Sequence, residues 1–280
     1  MEEKKQPRVK ILVACHKADP NIRQDDIYMP IQVGKALHPE LDLGFQCDNT
    51  GDNISEKNGS YCELTALYWA WKNLKDVDYI GLCHYRRYFA FGKNLLPYES
   101  GINISEDDFS KIEIESPDVN KIFNEYDIIL AKPYSIPFSM EVEYNYAHIK
   151  NDFIILETVI KELYPEYLSE FTRFFYKNNK LAAYNMFLTS KHVFEEYCNW
   201  LFKILVRVES RSILSAYPDQ ARVFGYMAER LLNIFVMHKK LKVFYVPIIK
   251  VDNAPNTPYW KIFSCSLRNK LSFWLTYSRK

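Results

Sequence analysis

Glycine is scarce in this chain, at 8 of 280 residues. Those glycines form neither a glycine-rich phosphate loop nor a dinucleotide fingerprint, which excludes Walker-type kinases and Rossmann dehydrogenases. An excess of either charge is also missing, since 36 Lys and Arg stand against 35 Asp and Glu. A generic nucleic-acid binder carries a basic surplus, so no nucleic-acid partner is expected. No stretch reaches the ~18 apolar residues of a membrane span. The opening MEEKKQPRVK lacks the apolar core and cleavage site of a secretory signal. These absences lead to the expectation of a soluble cytoplasmic protein, or one held peripherally on the inner face of the plasma membrane. The six cysteines, Cys15, Cys47, Cys62, Cys83, Cys198 and Cys265, make no C-x-x-C pair and match no zinc module. They read as free thiols in a reducing compartment.

What the chain does have is apolar and aromatic bulk. It is 48% hydrophobic, with 21 Tyr and 18 Phe, enough for one large α/β domain or two small ones. Tyrosine in such numbers suits amphipathic clefts that grip sugars or partners. VKILVAC at 9–15 and DYIGLC at 78–83 read as buried strands, each ending abruptly in polar residues. Further strands are expected at 124–130, 181–189 and 241–249, with 20–34 as a loop and 92–118 as an irregular insertion. Helical spacing covers 61–74, with Ser60 and Glu63 able to form a capping box. It returns at 142–164, 166–178, 192–208 and 219–238. Strand and helix alternate, which indicates an α/β fold with a mostly parallel sheet. Ligands of such sheets bind outside the C-terminal strand ends. That puts His16-Lys17, His84 to Arg87 and the loop after Leu130 on one rim. The expected division is a single catalytic domain over 1–258 followed by a basic-aromatic tail over 259–280.

Four groups of residues carry candidate chemistry. The first is His84-Tyr85-Arg86-Arg87, where a buried strand delivers two guanidinium forks suited to a diphosphate. His84 is placed to donate to a phosphate or to the leaving oxygen. The second is the turn-rich run Asp48-Asn49-Thr50-Gly51-Asp52-Asn53, followed by Glu63 and Thr65. Its short polar groups suit ribose hydroxyls or a base edge, although ordinary turns share the composition. With His16 and Lys17 after the first strand, this run is the expected nucleoside side. The third is Asn185-Met186, before a long helix, and the fourth is Asp219-Gln220 with Arg222 and Glu229-Arg230 beyond it. A carboxylate there can serve as general base for an acceptor hydroxyl. Asp219 is equally a helix cap and Glu229-Arg230 equally a structural ion pair. From Ala254 to Lys280 there is no acidic residue, and Lys261, Arg268, Lys270, Arg279 and Lys280 alternate with aromatics. That composition suits anionic lipid.

The runs DNTGDNISEKN, YCELTALYWAWKNL, DYIGLCHYRRYF, NMF, YCNWLF and RVFGYMAERLLNI resemble a bacterial family of capsular and exopolysaccharide biosynthesis proteins. That family was long carried as a domain of unknown function and is now treated as glycosyltransferases. The resemblance covers roughly residues 9–250. It implies a GT-A-like nucleotide-sugar-binding fold with a helical C-terminal part. It also implies a nucleotide-sugar co-substrate, UDP-linked, and a polysaccharide or lipid-linked oligosaccharide acceptor. Some relatives move galactose or galactofuranose. By this reading His84, Asp219 and Glu229 are catalytic. His16, Lys17, Asp48, Asn49, Asp52, Asn53, Glu63, Thr65, Tyr85, Arg86 and Arg87 hold the donor, and Asn185, Met186 and Gln220 the acceptor. Asp219-Gln220 is similar to the Asp-Gln of GT-A galactosyltransferases. Those enzymes are metal-dependent, and the Asp-x-Asp they place at the end of the second-domain strand is missing here, where His84-Tyr85-Arg86 stands. No metal ligand and no tightly bound cofactor are therefore expected. The stereochemistry stays open, as does a non-catalytic sugar-binding or scaffold role in a polysaccharide assembly complex.

Overall fold

The computed structural model describes residues 6–93 and 95–277. Its first half sets the central sheet. Strands β1 (Val9–Cys15), β2 (Tyr28–Gln32) and β3 (Gln46–Cys47) are followed by helices α1 (Asn58–Tyr61) and α2 (Leu64–Asn73). Then come β4 (Tyr79–His84), β5 (Arg87–Phe89), β6 (Gly101–Ile104), α3 (Glu106–Phe109), α4 (Val119–Ile122), β7 (Ile128–Ala131) and β8 (Tyr134–Ser135). The second half is mainly helical. It contains α5 (Met140–Ala147), α6 (Lys150–Leu163), α7 (Leu168–Lys177), β9 (Lys180–Leu181), β10 (Phe187–Ser190), α8 (Lys191–Glu209), α9 (Pro218–Ala221) and α10 (Val223–Lys239). The chain closes with β11 (Val243–Val246), β12 (Ile248–Val251) and α11 (Tyr259–Tyr277).

The main sheet runs β11-β7-β10-β4-β1-β2-β3. It is mostly parallel, but β10 is antiparallel to both β4 and β7. Gly81 is what lets β10 approach so closely, because a Cβ there would meet the Phe187 carbonyl oxygen at 2.5 Å. Both faces are covered, so the strands are apolar throughout. On β1, Leu12 and Ala14 pack toward the large helices, while Ile11, Val13 and Cys15 face a second core under β5 and β12. The α/β fold with a helical C-terminal region is as expected.

Several local expectations are corrected. Residues 20–34 are not all loop, since β2 lies within them. Pro30, which lacks an N–H, hid it; β3 pairs only with Ile31 and Gln32, so β2 tolerates Pro30 before that pairing begins. The insertion at 92–118 holds β6 and α3. The capping box does not form: Cys62 takes φ 53° and separates α1 from α2. Ser60 donates to the Lys57 carbonyl at 3.3 Å, and the Glu63 carboxylate turns to Asn185. The expected helix 142–164 is broken at the extended residue His148. The tail over 259–277 is a helix, α11; Arg279 and Lys280 lie outside the described residues. Among the described residues, no helix is long and apolar enough to cross a membrane.

Candidate active site

β1, β2 and β4 run parallel and end on one rim, where Ala14 of β1 is level with His84 of β4. A cleft of about 1380 Å³ opens there. The parallel strands supply His16, Val33, His84 and Tyr85, α10 supplies Tyr226 and Glu229, and β12 brings Lys250. Of the expected site residues, the cleft is lined by His16, Glu63, His84, Tyr85, Arg86, Arg87 and Glu229.

Tyr184 organises the carboxylate side. Its backbone N–H donates to Glu229 Oε1 at 3.0 Å, and its carbonyl accepts from His84 Nε2 at 2.7 Å. Serving both partners holds Tyr184 at φ 71°, with Asn185 at φ 52° beside it. Non-glycine residues in this region cost about 1–3 kcal/mol each and concentrate at functional sites. A carbonyl only accepts, so the Nε2 of His84 carries the proton. Burial pushes His84 below its ordinary value, against the pull of Glu63 and the Tyr184 carbonyl. The Nε2–H of His84, expected to reach a phosphate, is engaged by the Tyr184 carbonyl in this arrangement.

Glu229 is held above the usual carboxylate range by burial, with Arg230 opposing and Glu63 reinforcing the shift. Its Oε2 accepts from Arg230 at 2.9 Å. Glu63 accepts from Asn185 Nδ2 at 2.7 Å. Glu63 and Glu229 thus lie together in the cleft, and burial makes Glu229 a stronger base than an ordinary glutamate.

The cationic side differs from the sequence expectation. Arg86 is already committed, with Nε 3.0 Å from Asp19 and Nη2 2.7 Å from Glu106. Arg87 lies 4.9 Å over the Tyr184 ring, and Lys250 lies 5.6 Å over the same ring. Arg222 donates to the Cys62 sulfur at 3.3 Å. Among the described residues, Arg87, Arg222 and Lys250 form no ion pair. Desolvation lowers the pKa of His16, and the neighbouring Lys17, Arg222, His84 and Arg86 lower it further.

The remaining expected residues lie outside the cleft. Asp48 is fully buried and accepts from Gly34 N at 2.8 Å, Ser55 Oγ at 2.5 Å and Thr65 Oγ1 at 2.6 Å. Asp48 and Thr65 therefore tie the loop after β2 to α2, with no hydrogen-bonding capacity directed at a ribose. Asn49 is exposed away from the cleft. Asp52 accepts from Tyr68 at 3.2 Å, and Asn53 donates to the Gly51 carbonyl at 3.0 Å. Lys17 is exposed outside the lining. Asn185 and Met186 are buried behind the cleft wall, where Asn185 also donates to the Gly225 carbonyl at 3.2 Å. Asp219 is exposed on α9, and Gln220 donates to the Ala147 carbonyl at 3.1 Å. Their neighbours Pro218, Ala221 and Arg222 reach the cleft instead. Sequence reasoning missed Tyr184 and Lys250. A cation closing the apolar run before Val251 was the available signal for Lys250; the conformation of Tyr184 left none.

Among the described residues, no group of three or more His, Cys, Asp or Glu could hold a metal ion. The residues ending β4 do not supply the carboxylates a divalent ion would take there.

Among solved structures, the chain is similar to the apo structure of WbbM, a bifunctional glycosyltransferase, at 31% identity and a TM-score of 0.76. The match covers 89% of this chain and 46% of the WbbM chain, so this chain spans about half of its length. No curated protein matches it. Residues 10–240 match the family described as a domain of unknown function, DUF4422, and the chain belongs to that family.

Proposed function

We propose that this chain is a glycosyltransferase that moves a hexose, galactose or galactofuranose, from a UDP-linked sugar to a cell-surface polysaccharide or lipid-linked oligosaccharide. The observation that carries this reading is that Arg87, Arg222 and Lys250, which form no ion pair among the described residues, share one cleft with Glu63 and Glu229. The similarity to WbbM supports it. Arg87, Arg222 and Lys250 bind the donor diphosphate and offset the charge that develops as it departs. His16 contacts the nucleoside. Glu229 takes the proton of the acceptor hydroxyl in an inverting transfer. The cations at the rim act where a metal would otherwise stand, and no tightly bound cofactor takes part.

The assay is release of UDP from UDP-hexoses with a cell-extract acceptor, in EDTA. Acceptor-dependent UDP release is expected. A phosphorylated acceptor, or no turnover with any nucleotide sugar, would overturn the transferase reading. Activity restored only by manganese would overturn the metal-free part.

Calorimetry with UDP tests the cations individually. Arg87→Ala and Arg222→Ala should each weaken binding by about 1.5–3 kcal/mol, roughly 10- to 150-fold. Arg86→Ala should weaken it less, because Asp19 and Glu106 already occupy that guanidinium. The reverse ranking would contradict the assignment.

Contact with the inner membrane face belongs to the same reading, supported by α11. Trp260, Phe263, Leu267, Leu271 and Trp274 form one outward stripe, 44–65% exposed. At 3.6 residues per turn, Lys270 flanks that stripe on one side and Lys261 and Arg268 on the other. Basic residues bordering an apolar stripe match a helix lying in a lipid interface.

A further inference from the structure

A second cleft, of about 770 Å³, lies between α11 and the strands β6 and β8. Lys132, Lys180, Lys250, Lys261 and Lys270 all line it, against one acidic residue, Glu99. Glu99 is engaged by the Leu96 backbone N–H at 2.8 Å. The lysines have weak partners. Lys132 donates to the Leu96 carbonyl at 3.3 Å, while Lys261 and Lys270 lie over the rings of Trp260 and Tyr98. Among the described residues, none of the five forms an ion pair. Five lysines around one concavity, with Lys250 shared with the larger cleft, give it a positive field that a multiply charged anion offsets. Lysine binds phosphate as a point charge, without the planar fork that selects carboxylates.

Two features of position narrow the ligand. Lys250 lines both this cleft and the larger one, so the two adjoin. The wall formed by α11 uses its Ile262, Cys265, Ser266 and Asn269 face, which is anchored by Asn269 donating to the Ser135 carbonyl at 2.7 Å. The other side of the same helix is the exposed apolar stripe. An apolar surface, a pocket of lysines and a transferase cleft thus follow one another across the molecule.

We propose that the lysine cleft is a separate anion site that takes the diphosphate of a lipid-linked acceptor, with the lipid along α11 and the glycan directed into the larger cleft. This inference rests on the transferase reading for the role of the bound molecule, but the site itself is testable alone. The probe is farnesyl diphosphate, titrated by calorimetry into the full chain saturated with UDP. The variant is Lys180→Glu/Lys270→Glu; both residues are exposed and neither lines the larger cleft.

Farnesyl diphosphate should bind alongside UDP. Its affinity should fall at least about tenfold in the double variant, as expected for lost charge-assisted contacts. The UDP affinity should stay unchanged, which also shows that the variant is folded. Equal affinity in both proteins, or complete displacement by UDP, would overturn the site. Inorganic pyrophosphate should bind more weakly than farnesyl diphosphate; equal binding would mean a free anion and overturn the lipid-linked assignment. Flotation with phosphatidylglycerol–phosphatidylcholine vesicles separates the remaining source. Vesicle binding that depends on Lys180 and Lys270, without farnesyl diphosphate binding, would assign the cleft to lipid headgroups and overturn the proposal. If the chain binds farnesyl diphosphate but never UDP, the donor reading fails and this site stands.

Discussion

Glu229→Gln should lower turnover by about 10²–10⁴-fold, the usual contribution of a general base, with little change in UDP affinity. The carboxylate lines the cleft, and its two oxygens are oriented by the Tyr184 N–H and by Arg230. Burial raises its pKa, bringing its basicity closer to the working pH. The sign of the pH dependence follows: only the ionised form accepts a proton, so turnover should fall as pH drops through that raised value. The acid limb should lie above the ordinary glutamate range, and the glutamine variant should lack it. Glu63→Gln should cost less, because Glu63 binds Asn185 at the cleft wall and acts on Glu229 mainly by repulsion. Stopped assays across the pH range check this. Near-normal turnover in Glu229→Gln would remove the base from Glu229.

Arg230→Met should be the most destabilising single change near the cleft. The guanidinium is 3% exposed and bridges Glu143 and Glu229, each at 2.9 Å. It also donates to the Tyr226 carbonyl at 3.0 Å. Removing one partner of a buried ion pair costs about 3–5 kcal/mol. The lower end applies, because the two glutamates keep 26% and 18% of their side-chain exposure. For a chain of this size the melting temperature should drop by roughly 6–12 °C. A second change, Glu143→Gln, should recover part of the loss by removing one stranded charge. Loss of the positive neighbour should also push Glu229 further up and move the acid limb to higher pH. An unchanged melting temperature would show that the bridge is not structural.

The α/β framework was legible because β1 and β4 are covered on both faces and read as unbroken apolar runs, while α8 repeats its apolar residues at helical spacing. β2 was not legible, because Pro30 interrupts it and only the neighbouring strands define it. The antiparallel entry of β10 is set by the left-handed pair Tyr184-Asn185, a tertiary constraint without a composition signal. The rim residues of the HYRR segment were visible because strand ends are where α/β sheets present ligands. Which arginine is free was not visible, since Asp19 and Glu106 lie 67 and 20 residues from Arg86. Asp48 illustrates the opposite error. A turn-forming aspartate looks the same in sequence whether it faces solvent, a ribose or, as here, two backbone N–H groups and two hydroxyls.

In the proposed transfer, the larger cleft holds the donor diphosphate against Arg87, Arg222 and Lys250. A structure of the chain with UDP bound tests it most directly. Diphosphate oxygens should lie within about 3.2 Å of the guanidinium groups of Arg87 and Arg222, with Lys250 alongside and the Arg86 ion pairs intact. A diphosphate held by Arg86 after it leaves Asp19 and Glu106, or one bound outside this cleft, would contradict it.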